Sequence, residues 1–110
     1  MGATWAVEWP DRNLFWNDSK VKPFLLKRAA HATLVDGCMV GLTAKRAAVA
    51  GQPMRKRWQV VTNRREFADS LRLTCDGSHR HVPVEGTDAK LTEDYTGDFV
   101  ARVLHAWRAV

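Results

Sequence analysis

The chain has no run of about 18 apolar residues, and its first residues lack the basic start and apolar centre of a secretion signal. A membrane-spanning or exported protein is therefore not expected, and an intracellular setting, cytoplasmic or nuclear, is. Cysteine is scarce: Cys38 and Cys75 are too few for a disulfide-stapled scaffold, and in a reducing compartment they stay thiols or become metal ligands. Neither internal repeats nor low-complexity segments occur. Acidic residues are missing from one long interval, between Asp36 and Glu66.

What is present fits one folded domain of 110 residues, with 45% hydrophobic and 26% charged residues. The formal charge is +5, and the acid-free interval holds Lys45, Arg46, Arg55, Lys56, Arg57, Arg64 and Arg65. If these seven side chains formed one face and all met phosphates, the salt slope for duplex DNA would approach roughly −6. Nucleic acid is thus the expected partner, ahead of a solvated basic loop. A membrane surface is not, because the cations do not lie on an amphipathic helix with an aromatic underside.

Residues 3–8 read as a strand that stops at Pro10 and opens into the polar loop Asp11-Arg12-Asn13. A helix capped by Asp18 or Ser19 is expected to run to Ala30, with Pro23 tolerated near its start. Residues 32–35 and 58–62 read as a second and a third strand, and Asn63 followed by Glu66 predicts a capped helix over 64–71. After Thr96 and Gly97, the positions Phe99, Val100, Val103, Leu104 and Trp107 recur every three or four residues, so a last helix carries an apolar stripe with Arg102, His105 and Arg108 off it. The crossover from first to second strand implies a parallel relation, and the third, expected antiparallel to the second, can return alongside or between them. The expected class is α/β: a three-stranded mixed sheet with an antiparallel pair and three helices. Its first strand would lack a neighbour, and that edge is an expected site for a partner chain or self-association.

Two long connections interrupt this pattern. Residues 38–57 carry most of the basic interval around an Ala-rich centre, 43–50, which suggests a short helix. Residues 74–93 hold few large apolar side chains, so something other than a core must fix them. That stretch contains Cys75-Asp76-Gly77-Ser78-His79-Arg80-His81, in which an extended backbone would point both imidazoles to one side. With Cys38 as a fourth ligand, Cys75, His79 and His81 supply the sulfur and nitrogen donors that zinc prefers in a tetrahedron. A hydrolytic centre using His79 or His81 with Glu85, Asp88, Glu93 and Asp94 is the weaker alternative, since no spacing fixes its geometry. Of the five tryptophans, Trp58 and Trp107 read as core, whereas Trp9 and Trp16, beside Arg12 and Asn13, read as contacts for a ligand.

Three segments carry a family resemblance. Glu8-Trp9-Pro10 at the end of the first strand is similar to a Glu-Asn-Val or Glu-Asn-Pro element, with Trp9 in place of the asparagine. Gln52-Pro53-Met54-Arg55-Lys56-Arg57-Trp58, within 41–62, is similar to a Pro-Gln and paired-arginine stretch leading into a strand, with Gln and Pro reversed. Lys90-Leu91-Thr92-Glu93 is similar to a Leu-Thr element ahead of a final packing helix. Together they resemble the C-terminal half of a cytosine-5 DNA methyltransferase-like Rossmann domain, as in degenerate methyltransferase-like segments of retroelement polyproteins. The resemblance implies a partial Rossmann-like sheet, a base-holding role for Glu8 with Trp9 beside it, and nucleic-acid contacts by Arg55 and Arg57.

The scattered glycines offer no turn for S-adenosylmethionine, and no Pro-Cys pair supplies an attacking thiolate, so activity from this chain alone is not expected. The expected function is non-catalytic nucleic-acid binding through Lys45, Arg46, Arg55, Lys56, Arg57, Arg64 and Arg65 together with Glu8, Trp9 and Arg12. The alternatives are a zinc-stabilised interaction or nucleic-acid-binding module, and one part of a split methyltransferase that takes S-adenosylmethionine only with a partner half.

Overall fold

The computed structural model describes residues 3–28, 30–84 and 95–110. Its centre is a sheet of three strands, β1 (Ala6–Pro10), β2 (His31–Asp36) and β3 (Arg57–Thr62), in the order β1-β3-β2. β3 is the strand best able to be buried on both faces: Trp58, Val60 and Thr62 are buried on one side and Val61 on the other. It takes the middle, pairing antiparallel with β1 from Ala6↔Thr62 to Pro10↔Trp58 and with β2 from His31↔Thr62 to Asp36↔Arg57. The expected mixed sheet is therefore corrected. β1 and β2 do run the same way, but β3 lies between them, so the sheet is antiparallel throughout. Leu73 adds a one-residue parallel bridge to Val35 at the outer side of β2.

Helix α1 (Val21–Lys27) is shorter than expected. Asp18 Oδ1 accepts from the backbone N–H of Lys20 and of Val21, and Pro23 falls in the first turn, where its missing N–H has no acceptor to lose. A 3₁₀ turn that the sequence pattern did not suggest, Leu14–Asn17, precedes it and is capped by Asn13. Helix α2 (Arg65–Leu71) does not use Asn63 as its cap. The Asn63 amide instead accepts from Trp5 N–H and donates to the Ala3 carbonyl, tying down the chain that enters β1, and Thr62 Oγ1 accepts from Arg64 N–H.

Helix α3 (Gly97–Arg108) starts as expected at Thr96, whose hydroxyl accepts from Phe99 N–H and donates to the Val40 carbonyl. Only part of its stripe is covered: Phe99 and Ala106 are buried, whereas Val100, Leu104 and Trp107 stay 41–47% exposed. Arg102, expected to point away, donates to the carbonyls of Leu71 and Arg72 and so satisfies the last acceptors of α2. Among the described residues no helix is long and apolar enough to cross a membrane.

The core joins β2, β3, α2 and α3 through Val35, Trp58, Val60, Phe67, Leu71 and Phe99, and it also takes in the connection between β2 and β3. That connection is a folded element and not a loose insertion. After a 3₁₀ turn over Gly37–Val40, residues 42–44 and 52–54 pair across the bridge Thr43↔Pro53, burying Leu42, Ala44 and Met54. The helix expected over 43–50 is reduced to a 3₁₀ turn, Ala47–Val49. Gly37 is required at its start: its N–H donates to the Lys56 carbonyl at 2.7 Å, and a Cβ there would stand 2.6 Å from Leu42 Cδ2.

Candidate metal centre and basic cleft

The Cys/His segment is held at both ends by backbone bonds. Leu73 N–H donates to the Leu34 carbonyl and Asp36 N–H to the Leu73 carbonyl, while further on Val82 N–H donates to Pro53 and Arg55 N–H to Val82. Between these anchors Gly77 takes φ +77°, a left-handed turn that suits glycine and lets the chain fold back, and its N–H points at Cys75 Sγ at 3.4 Å. The turn over Gly37–Val40 brings Cys38 to the same place from the end of β2.

The donor atoms of Cys38, Cys75, His79 and His81 all lie within 4.8 Å of one another, and all four residues are half-buried. Cys75 Sγ is 3.6 Å from His79 Nε2 and 3.4 Å from His81 Nε2, and His81 Nε2 is 3.2 Å from Cys38 Sγ. Zinc bonds to sulfur and nitrogen in a tetrahedral site would separate neighbouring S and N donors by about 3.6 Å. The two Nε2 atoms face the cluster, and His79 Nδ1 lies 3.2 Å from Ser78 Oγ, an outer contact that fixes the ring. The structure thus brings together the four ligands expected from sequence, although Cys38 stands 43 residues from His81. With four protein donors, the set can hold a metal ion and suits a closed, structural site.

Asp36 supports this centre, a residue that stood out in the sequence only as the start of the acid-free interval. Its carboxylate accepts both guanidinium contacts of Arg57, at 2.7 and 3.1 Å, and the backbone N–H of Cys75 at 2.6 Å. Burial pushes its pKa up, but the bonds from Arg57 and Cys75 outweigh this and hold it below the usual carboxylate value. Cys38 goes the other way: burial, then the neighbouring Cys75 sulfur, push its thiol up to about 12. Without an ion the thiol keeps its proton, and a bound cation would displace it.

Beside the cluster lies a cleft of about 580 Å³ at the end of the sheet, lined by the cations Arg12, Arg55, Lys56 and Arg57, by the carboxylates of Asp11 and Asp36, and by ligands of the metal set. The other expected cations are elsewhere. Arg64 and Arg65 follow the far end of β3, some 20 Å from Arg57 at strand rise; Arg64 donates to Thr4 Oγ1 and Arg65 pairs with Asp69. Lys45 contacts Thr43 Oγ1, and Arg46 donates to the Pro83 carbonyl. The basic interval is one stretch in sequence but not one face in space.

Glu8 and Trp9 lie on opposite faces of β1. Glu8 accepts from the Tyr95 hydroxyl, and its second oxygen is buried with no partner among the described residues, beside an apolar cavity of about 220 Å³ lined by Val60, Phe99 and Leu104. Trp9, 43% exposed, stacks on Phe15 at 4.7 Å, and Trp16 Nε1 donates to the Pro10 carbonyl. Trp58 is in the core as expected, whereas Trp107 only edges Phe67 and stays partly exposed. Glu85, Asp88, Glu93 and Asp94, named for a hydrolytic centre, and the Lys90-Leu91-Thr92-Glu93 element lie outside the described residues.

Fold and site together define a small α/β domain with a Cys2His2 donor set at one end of an antiparallel sheet. No family model matches the chain, nor does any curated protein or solved structure.

Proposed function

We propose that the chain is a zinc-stapled, non-catalytic nucleic-acid-binding module. One observation carries this reading: four donors from two distant segments converge within 4.8 Å at the side of a basic cleft. Zinc is the ion of choice because two thiolates and two imidazoles form a mixed soft and borderline set that disfavours magnesium or calcium. Its role would be to join the turn after β2 to the middle of the 73–82 segment, whose ends, Leu73 and Val82, already pack against the hydrophobic core. The test is metal analysis of purified chain after exhaustive dialysis. One zinc per chain is expected, falling to none in Cys75→Ser and in His81→Ala; a metal-free wild type would sink the reading.

Glu8 favours a second reading, a methyltransferase-like ancestry. A half-satisfied carboxylate beside an apolar cavity is what a base-holding glutamate requires. Calorimetric titration with cytidine should then give binding that Glu8→Gln abolishes, and no heat with the wild type would dismiss it.

A further inference from the structure

Cys38 and Cys75 are the only cysteines in the chain, and the fold brings their sulfurs within 4.8 Å of each other. Rotation of the side chains is enough to carry sulfurs that close to bonding distance. Oxidation at either position therefore finds one thiol within reach, and that thiol is the other sulfur ligand of the same set.

The pair is held together by more than an ion. Asp36 ties the two backbones directly: its N–H donates to the Leu73 carbonyl at 2.8 Å, its carboxylate accepts from Cys75 N–H at 2.6 Å, and Cys38 follows it by two positions. Gly37 N–H is fixed in turn to the Lys56 carbonyl at 2.7 Å. Losing the ion would thus leave the two sulfurs facing each other. Beyond Cys75 the chain has more freedom, since Gly77 turns at φ +77° with nothing within 4 Å of where a Cβ would stand.

Both thiols can also be reached. Each is half-buried, and each lines the cleft of about 580 Å³. Charges of both signs share that lining, but hydrogen peroxide is small and neutral and needs none of them.

We infer that Cys38 and Cys75 are a reversible oxidation site, at which a peroxide joins the two sulfurs in an internal disulfide and releases the metal ion. One thiolate attacks a peroxide oxygen and the O–O bond breaks, giving a sulfenic acid and hydroxide. The second thiolate attacks the sulfenic sulfur, the S–S bond forms, the S–O bond breaks and a second hydroxide leaves. Two protons from solvent turn the hydroxides into water, so each sulfur gives up one electron and the peroxide takes up two. His79 and His81 are left as free imidazoles, and an added dithiol reverses the step by exchange. This rests on the zinc reading above and adds the reaction by which the ion is lost: an ion ties the two segments in the reduced chain, and a covalent bond ties them in the oxidised one.

The experiment treats the zinc-loaded full chain with hydrogen peroxide and follows released zinc with a chromophoric indicator, free thiols by alkylation, and intact mass. Expected are one zinc released per disulfide formed, a fall from two alkylatable thiols to none, and a mass about two units below that of the reduced metal-free chain. A tryptic digest made without reductant should show residues 29–45 linked to residues 73–80. Dithiothreitol followed by zinc should restore both thiols and the bound ion. In Cys38→Ser the remaining sulfur should instead gain oxygen or link two chains, and the wild-type mass and digest keep the test decisive if that variant does not fold. Zinc retained at a peroxide concentration that fully oxidises free cysteine, disulfides between chains, or oxygen added to the wild-type sulfurs would overturn this inference and leave the zinc reading standing. A reduced chain that holds no zinc before peroxide is added overturns both.

Discussion

Asp36 is the single side chain on which most of the metal centre's order depends. It lies two positions before Cys38, grips the N–H of Cys75, and fixes Arg57 against the end of the sheet. Replacing it by alanine leaves a half-buried N–H and a guanidinium without their acceptor, at a cost of about 1–3 kcal/mol. Outer partners of metal ligands typically govern affinity by about 10- to 100-fold, so Asp36→Ala should lose zinc to a chromophoric chelator at correspondingly lower chelator concentration. Tyr95 offers a second check, because it is the only tyrosine in the chain. Burial, then its bond to Glu8, push its pKa up to about 12. The neutral phenol is favoured in the folded state, so its contribution to stability is complete below pH 10 and fades as pH rises through about 12. An absorbance titration of tyrosinate should have its midpoint near 12 in the folded chain and near 10 when the chain is unfolded by denaturant.

Among the elements, α3 depends on its cap more than on its stripe. Two of its apolar residues are fully buried, but Thr96 both caps the helix and reaches the Val40 carbonyl in the turn that leads away from Cys38. Thr96→Ala should therefore cost about 1–2 kcal/mol in denaturant unfolding, at the upper end for a cap, because a second hydrogen bond goes with it. The apolar repeat of α3 was legible because a period of three and four survives whichever residues are finally covered. Which part of the stripe is buried was not, because that depends on where α2 ends and on Arg102 occupying the space beside it. The Asn63 cap failed for a related reason: the amide had a competing partner in the backbone before β1, about 60 residues away in the chain.

At the scale of the molecule, the metal centre and the hydrophobic core occupy different parts of the structure. Val35, Met54, Phe67 and Leu71 are buried without help from the ion, whereas the 73–82 segment is held by backbone bonds at its ends and by the ligand cluster between them. Chelation should accordingly lower the melting temperature while leaving far-UV circular dichroism nearly unchanged. With free zinc about a thousand-fold above its dissociation constant, the difference should be about 4 kcal/mol. Complete loss of secondary structure on chelation would instead make the ion part of the core.

The amino-acid sequence by itself determined the local features: three strands, the helices α1, α2 and α3 near their expected places, and four donors whose residue types suit a metal ion. These depend on side-chain period, capping groups and ligand chemistry, all of which operate over a few residues. Only the tertiary structure decided that β3 lies between β1 and β2, that Asp36 binds the Cys75 backbone, and that the basic interval is divided between two ends of the sheet. The reason is that a strand carries its cations along its length. Arg57 opens β3 whereas Arg64 and Arg65 follow its far end, so the six-residue strand sets them apart in space once it is extended and buried.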